Sequence, residues 1–239
     1  VLFRSVGVEE EACRRLNEGF IHRMLHHKPF GILKYAMTLD GKIATNTGHS
    51  AWVTSPEARS KVHQLRKACD AVIIGANTVR RDNPRLTSRS GDRADNPLRV
   101  VMSRNLDLPR QAHLWDITEA DTLVLTEVGV NRDFQGFLTE KGVEVVELSP
   151  LSPAAVMAYL YDRSFLSVLW ECGGILAARA IAEGTVQKVL AFIAPKIIGG
   201  QTAPSPVGDL GLTEMTQALT LEKLTVHSIG SDYLIEGYL

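Results

Sequence analysis

From Phe30 onward, short runs of β-forming residues alternate with amphipathic helical patterns, and this alternation restricts the fold more than any other feature. The predicted strands are 31–38, 71–75, 98–102, 122–126, 143–147, 166–170 and 187–194, with a closing pair at 223–229 and 232–238. The predicted helices are 55–68, 76–81, 131–141, 152–162 and 173–183. Alternation of this kind is typical of a mostly parallel sheet with helices on both faces. We therefore predict an α/β fold with an antiparallel C-terminal hairpin, turning at Gly230-Ser231, at one edge.

The first 28 residues follow a different pattern. Their apolar side chains recur about every four positions between Val8 and Met24, which predicts one polar helix with a single apolar face. This helix has no core of its own and ends before Pro29. At 239 residues the chain is long enough for one large α/β domain. We predict a linker helix at 1–28 and a single domain at 29–239.

Charge and composition argue against several classes of protein. The chain has 26 Lys+Arg against 27 Asp+Glu, so it lacks the basic field expected of a nucleic-acid-binding protein. It contains neither an apolar run of the roughly 20 residues that span a bilayer nor a signal-peptide pattern. The isolated cysteines Cys13, Cys69 and Cys172 indicate reduced thiols. We predict a cytoplasmic protein with no membrane or nucleic-acid partner.

The histidines do not indicate a metal site or a nucleophilic catalyst. Their spacing fits no metal-ligand pattern, and no Ser-His-Asp or Cys-His arrangement can be argued. His22, His26 and His27 are predicted to face solvent on the linker helix. His49, in a polar loop, is a weaker candidate for a ligand contact.

Residues 31–54 suggest a functional site. An apolar strand contains a charged residue, Lys34, and is followed by an Asp40-Gly41 turn and the polar loop 45–50. An unpaired ammonium is costly to bury, so the lysine predicts a partner or a role. The turn and loop supply backbone donors that can approach a ligand closely.

Two predicted strands run through glycine into a helix. One ends at Glu171 and is followed by Gly173-Gly174, and the other ends at Gly75. Glycines at such turns let backbone amides approach a pyrophosphate at a helix N-terminus. The GxGxxG fingerprint of dinucleotide-binding folds is absent, and both turns also fit plain strand-to-helix connections.

Arginines are concentrated around a proline turn between Thr78 and Arg89, which also contains Asp82. Arginine is suited to bidentate recognition of phosphate. A solvated charged loop is the alternative. Arg66, late in the helix that starts at Ser55, either adds a phosphate donor or lies at the surface.

Several ordered motifs make residues 29–239 resemble the reductase domain of the bifunctional riboflavin-biosynthesis deaminase/reductase. They are Lys34-x-Ala36-x-x-Leu39-Asp40-Gly41-Lys42-Ile43-Ala44, Ser50-x-Trp52-Val53-Thr54-Ser55, Gly75-x-x-Thr78-Val79-x-x-Asp82-x-Pro84-x-Leu86-Thr87, Glu171-x-Gly173 and Ala194-Pro195-Lys196-Ile197-Ile198-Gly199-Gly200. The linker also resembles the segment that joins the two domains of that family. Because the zinc signature of the deaminase is absent, the chain looks like the reductase half alone, and deamination is not predicted.

The resemblance implies a dihydrofolate-reductase-like fold and a homodimer. It also implies NADPH-dependent reduction of the ribosyl group of 5-amino-6-(5-phosphoribosylamino)uracil to the ribityl product. Lys34 and Glu171 would face each other near the sugar. There Lys34 would supply a proton or polarise a sugar oxygen, and Glu171 would orient the sugar hydroxyls and Lys34. Asp82 is the second acid/base candidate.

Matching positions imply further contacts with substrate and cofactor. Substrate contacts would come from Ser50, Arg66, Leu86, Arg89 and Glu171, with Arg66 and Arg89 suited to the phosphate. Cofactor contacts would come from Ala36, Trp52, Thr54, Thr78, Asp82, Gly173, Gly174, Ile175, Leu176, Ala177, Ala178 and Arg179. For Trp52, a place in the core is the alternative. The chain departs from the family pattern at Cys172 and Gly174, and at Arg104, which would meet the 2′-phosphate of NADPH or lie in solvent.

Two rival functions stay open. One is a dihydrofolate-reductase-like enzyme acting on another pterin or pyrimidine, and the other is a non-catalytic nucleotide-binding module. The pair Arg66 and Arg89 argues against the first, because an unphosphorylated substrate has no use for it. Retention of Lys34, Asp82 and Glu171 together argues against the second.

Overall fold

The computed structural model of the chain describes residues 5–239. Its strands are β1 (Phe30–Thr38), β2 (Ala71–Gly75), β3 (Leu98–Met102), β4 (Thr122–Thr126), β5 (Glu144–Glu147), β6 (Ser167–Trp170), β7 (Lys188–Ala194), β8 (Glu222–Ile229) and β9 (Asp232–Tyr238). Its helices are α1 (Glu10–Leu16), α2 (Glu18–His26), α3 (Pro56–Ala68), α4 (Ala76–Asp82), α5 (Arg132–Glu140), α6 (Pro153–Asp162) and α7 (Gly174–Ala182).

The strands form one sheet in the order β5-β4-β3-β2-β6-β1-β7-β9-β8. Strands β1 to β7 are mutually parallel where they pair, whereas β9 is antiparallel to both β7 and β8. The predicted α/β fold with an antiparallel hairpin at its edge is therefore confirmed. The carboxyl ends of β1, β2 and β6 lie next to one another in this order, and parallel α/β sheets bind their ligands at such ends.

Helices cover both faces of the sheet. On one face, α6 and α7 contribute Met157 and Ala177 to a core that also contains Trp170. On the other face, α4 and α5 pack over β2 to β4, and α3 packs over β1 and β7. Successive residues of a strand point to opposite faces, so Lys34 lies on the α3 face while Leu33 lies in the core under α6 and α7.

Local sequence accounts for the start of α3, the helix that carries Arg66. The side chain of Ser55 accepts a hydrogen bond from the amide of Ala58, and Pro56 occupies the first helical position. Both features satisfy or remove amides that would otherwise be unpaired at a helix start. The helix start predicted at Ser55-Pro56 is confirmed.

The N-terminal segment differs from its prediction, and residues 1–4 lie outside the described part of the chain. Where the sequence predicted one helix, the structure has α1 and α2, separated at Asn17. The Asn17 side chain donates to the carbonyl of Cys13, and asparagine competes in this way with helix continuation. His22 was predicted to face solvent but is half-buried against Phe30, and burial lowers its pKa to about 4.

Helix α2 docks on the domain through charges. Glu18 accepts from Lys188 at 3.0 Å and from the Tyr238 hydroxyl at 2.8 Å, and Arg23 donates to the carbonyl of Tyr161 at 2.7 Å. Side chains of the predicted apolar face are exposed to solvent; Leu16, for example, is 86% exposed. The segment is therefore held by polar contacts, while its apolar face lies in solvent.

Candidate active site

Strand register places Lys34 beside Glu171. Leu33 of β1 pairs with Trp170 of β6, and this is the last pair between the two strands. The residues that follow, Lys34 and Glu171, therefore lie side by side. The Lys34 Nζ lies 3.9 Å from the Glu171 Oε2, and the two side chains are 15% and 9% exposed. The predicted cation–carboxylate pair is thus present, with Glu171 just beyond the carboxyl end of β6 and Lys34 midway along β1.

Arg66 reaches the same carboxylate from α3. Its Nε donates to Glu171 Oε1 at 2.6 Å and its Nη2 donates to Oε2 at 2.9 Å, a bidentate pair. The sequence predicted Arg66 as a phosphate donor and did not anticipate this contact. In the structure, Arg66 fixes the orientation of Glu171, and the phosphate role of Arg66 stays a prediction.

The protonation of this cluster follows from burial and charge. Burial lowers the pKa of Lys34, and the attraction of Glu171 only partly opposes it. Burial alone would raise the pKa of Glu171, but the neighbouring Arg66 guanidinium outweighs this and lowers it. The carboxylate therefore stays ionised near neutral pH, and the Lys34 ammonium gives up its proton more readily than an ordinary lysine.

A second acid lies at the end of α4. Ser50 donates to the Asp82 carboxylate at 3.2 Å, which joins a predicted substrate contact to a predicted acid/base candidate. Partial desolvation raises the pKa of Asp82, against the opposing effect of the Ser50 hydrogen bond. Within the described residues, no contact joins Asp82 to Lys34 or Glu171. Asp82 is therefore an acidic group separate from the Lys34–Glu171 pair.

A basic pocket of about 480 Å³ opens beside the cluster. Its lining residues come from α3 and from the loop after α4: Pro56, Arg59, Ser60, His63, Gln64, Lys67, Ser88, Arg89 and Ser90. Arg59, His63 and Lys67 were missed by the sequence reasoning, although they recur every four residues on a predicted helix. The lining contains no carboxylate, so the pocket suits an anion.

One carbonyl connects the pocket to the cluster. The Thr87 oxygen lies 3.2 Å from the His63 Nδ1 and accepts a hydrogen bond of 3.2 Å from the Arg66 Nη1. Burial lowers the pKa of His63, while the Thr87 hydrogen bond opposes the shift. Arg66 thus contacts both the Glu171 carboxylate and the loop that carries Arg89. Leu86, in the same loop, is 3% exposed and packs in the core, so its predicted substrate contact stays untested.

The segment 52–54, near α3, runs from the surface at Trp52 to a buried position at Thr54. Trp52 is 70% exposed, and the Arg59 guanidinium lies 4.3 Å from the centre of its ring. The alternative of a core tryptophan is therefore wrong. Thr54 is buried, and its carbonyl accepts from Arg59 at 2.8 Å.

The turn into α7 leaves room for a ligand at its first glycine. A Cβ atom at Gly173 would meet no atom within 4 Å, whereas one at Gly174 would lie 2.7 Å from the carbonyl oxygen of Ser205. Within the described chain, the amides of Gly174 and Ile175 have no acceptor. The neighbouring Cys172 is buried, which raises the pKa of its thiol to about 12.

The other predicted cofactor contacts are spread along these elements. Ile175 is exposed and Leu176 half-buried, whereas Ala177 and Ala178 are buried and Arg179 pairs with Glu183. Ala36, near the carboxyl end of β1, and Thr78, near the start of α4, are half-buried. Arg104 is exposed just after β3, and its side chain has no partner in the described chain. All of these contacts stay predictions.

No cluster of three or more His, Cys, Asp or Glu side chains between residues 5 and 239 could hold a metal ion. Cys13, Cys69 and Cys172 are free thiols. Of the helices in this range, none combines the length and apolar character needed to cross a membrane.

Residues 29–235 match the family of the RibD C-terminal domain. The chain is 63% identical over 235 residues to the riboflavin biosynthesis protein RibD of Synechocystis, covering 98% of this chain and 64% of that protein. It is 34% identical over 212 residues to the 2,5-diamino-6-ribosylamino-4(3H)-pyrimidinone 5′-phosphate reductase of Methanothermobacter thermautotrophicus, covering 87% of this chain and 97% of that enzyme.

One solved structure is similar to this chain over nearly its whole length. It is the diaminohydroxyphosphoribosylaminopyrimidine deaminase/5-amino-6-(5-phosphoribosylamino)uracil reductase of Thermotoga maritima, which superposes with a TM-score of 0.83 at 32% identity. The match covers 97% of this chain and 62% of that one. The chain therefore spans about two thirds of the length of its longer relatives.

Proposed function

Because this chain belongs to the family of RibD C-terminal domains, we propose that it is an oxidoreductase of riboflavin biosynthesis. It reduces the ribosyl group of 5-amino-6-(5-phosphoribosylamino)uracil to the ribityl product, with NADPH as the reductant. The observation that carries this proposal is the buried cluster of Lys34, Glu171 and Arg66 beside a pocket lined by Arg59, Lys67 and Arg89. A phosphorylated sugar needs both parts: a proton donor at the sugar and cations at the phosphate.

The residues of the cluster have different roles in the reaction at the sugar. Opening a ribosylamine ring breaks the bond between C1′ and the ring oxygen, and that oxygen must gain a proton. The Lys34 ammonium, whose pKa is lowered by burial, is suited to donate it. Glu171, held ionised by Arg66, keeps the ammonium in place and accepts hydrogen bonds from sugar hydroxyls. The reduced nicotinamide, when bound, supplies the hydride that C1′ accepts.

The residues around the cluster fit a nicotinamide dinucleotide. The open space at Gly173 and the unpaired amides of Gly174 and Ile175 suit a pyrophosphate at the start of α7. Arg104, exposed and without a side-chain partner in the described residues, is available for a 2′-phosphate, which supports NADPH over NADH. Trp52 and Thr54 lie on a separate segment that would contact the nicotinamide end.

Loss of NADPH absorbance at 340 nm is the direct test of this function. We expect oxidation of NADPH that depends on the deaminated pyrimidine phosphate, with slower oxidation of NADH and none with dihydrofolate. Oxidation with dihydrofolate alone would instead identify a dihydrofolate-reductase-like enzyme. No oxidation with either substrate, in a chain that binds NADPH, would identify a non-catalytic nucleotide-binding module.

Replacing Arg89 with alanine is expected to raise KM for the phosphorylated substrate about 10- to 100-fold, because a charge-assisted hydrogen bond is worth about 1.5–3 kcal/mol. kcat should change much less, since Arg89 lies in the pocket and outside the Lys34 cluster. The matched control is Arg85→Ala, because Arg85 belongs to the same loop but pairs with Glu119 at the surface. An equal loss with the dephosphorylated substrate would contradict a phosphate contact.

Four further assignments are proposals of the same kind. A homodimer is supported by the exposed apolar side chains Leu224, Val226 and Tyr233 on the edge hairpin. Residues 1–28 would link this domain to an upstream deaminase, and free thiols support a cytoplasmic location. The partner is a small phosphoribosylated pyrimidine, with no nucleic acid.

A further inference from the structure

Three consecutive carbonyls of the segment 52–54 are held by cationic side chains. The Lys196 Nζ donates to the carbonyls of Trp52 and Val53 at 2.7 and 2.8 Å. Arg59 donates to the next carbonyl, that of Thr54, at 2.8 Å. The segment itself belongs to no helix or strand, so these contacts replace the backbone pairing that would otherwise order it.

The backbone at Trp52 shows why such support is needed. Its φ angle is +60°, in the left-handed region that bulky residues rarely adopt. The residue is also 70% exposed, so burial of its side chain contributes little to holding this conformation. A conformation of this kind persists only when the surroundings impose it.

Lys196 is itself held in a defined place. It follows β7 in the motif Ala194–Gly200, to which the proposed reaction assigns no role. Its carbonyl accepts from the amide of Leu39 at 2.8 Å, and the Asp40 carboxylate accepts from the amide of Gly199 at 2.7 Å. The motif is thereby anchored to the end of β1, the strand that carries Lys34.

We propose that Lys196 is a positioning residue that orders the Trp52–Thr54 segment for cofactor binding. An ammonium carries three N–H donors on one atom, so it can bridge two successive carbonyls at a single point. Lys196 thus fixes the segment relative to the end of β1 and the catalytic cluster. The cofactor role of the segment rests on the proposed function, whereas its ordering by Lys196 does not.

The ordering is tested with 5-fluorotryptophan and ¹⁹F NMR, because the chain has three tryptophans. Trp115 and Trp170 are buried and serve as internal references, and Trp52→Phe assigns the remaining resonance. Lys196→Met is expected to shift or broaden the Trp52 resonance while the other two stay in place. Lys141→Met, which removes an exposed lysine without a side-chain partner in the described chain, should leave all three unchanged.

The consequence for binding is tested on the same variants. Lys196→Met is expected to raise the Kd for NADPH about tenfold or more, with a larger change in KM for NADPH than in kcat. Lys196→Arg should recover part of the loss, because it keeps a donor cation. An unchanged Trp52 resonance in Lys196→Met, or equal shifts at all three tryptophans, would overturn the inference. Failure of the wild-type chain to oxidise NADPH would overturn the proposed function alone, because the resonance test needs no turnover.

Discussion

Replacing Lys34 with methionine is expected to lower kcat about 10²- to 10⁴-fold, the range that a positioned proton donor contributes. Methionine keeps most of the volume of the side chain and removes the ammonium. The fold should survive, because Glu171 keeps its bidentate partner Arg66 when the lysine is lost. Steady-state NADPH oxidation with the pyrimidine phosphate is the measurement, with KM changing less than kcat.

A second variant separates the two roles open to Lys34. Lys34→Arg keeps a positive charge, but a guanidinium does not release its proton in proteins. If Lys34 donates a proton to the ring oxygen, Lys34→Arg should be nearly as slow as Lys34→Met. If it only polarises a sugar oxygen, Lys34→Arg should retain a large share of kcat.

The pH profile gives an independent check on Lys34. A proton donor must be protonated, so the rate should fall on the alkaline side as Lys34 loses its proton. Burial lowers its pKa, and the fall is therefore expected at a pH below the 10.5 of an ordinary lysine. The pH profile of Lys34→Met should not show this fall in rate on the alkaline side. The control is Lys61→Met, on an exposed lysine of α3, and unchanged turnover in Lys34→Met would contradict the assignment.

Local signals explain why the strands and helices could be predicted to within a residue or two. The strand predicted at 143–147 is β5 at Glu144–Glu147, and the helix predicted at 152–162 is α6 at Pro153–Asp162. Apolar periodicity and helix-start residues are properties of a few neighbouring positions. The break at Asn17 was missed because one residue of low helix propensity is a weak signal against a long apolar pattern.

The contacts of the candidate site depend on tertiary structure, and sequence predicted them less well. The pairing of Lys34 with Glu171 was implied by resemblance, and strand register explains it. The bidentate contact of Arg66 was not predicted, because it depends on where α3 crosses the sheet. Arg99 is a similar case: its buried guanidinium binds the carbonyls of Leu114 and Ala120, which no local pattern indicates.

Removing the charge of Glu171 is expected to cost both activity and stability. Glu171→Gln keeps the shape of the side chain but leaves Lys34 and Arg66 as buried cations without a carboxylate. Loss of one partner from a buried ion cluster destabilises a protein by about 3–5 kcal/mol. The free energy of unfolding, measured by urea denaturation at pH 7, should fall by this order. Glu119→Gln removes a carboxylate from an exposed pair and should cost less than about 1 kcal/mol.

The pH dependence of this loss follows from the pKa values of Glu171 and Lys34, which are both lowered in the folded state. The folded-state pKa of Glu171 is lowered, so its contribution is present above its unfolded value near 4.5 and is lost as pH falls through the folded pKa. The difference between wild type and Glu171→Gln should therefore shrink in acid. In the variant, Lys34 loses the attraction that opposed its lowered pKa, so stability should recover toward alkaline pH as the ammonium deprotonates.

A double variant distinguishes orphaned charge from lost packing. Lys34→Met combined with Glu171→Gln removes one of the two unpaired cations, so it should be more stable than Glu171→Gln alone. Lost packing would instead make the two destabilisations add. A Glu171→Gln variant as stable as wild type would show that water reaches the cluster, and would contradict the low-dielectric site on which the proton transfer from Lys34 depends.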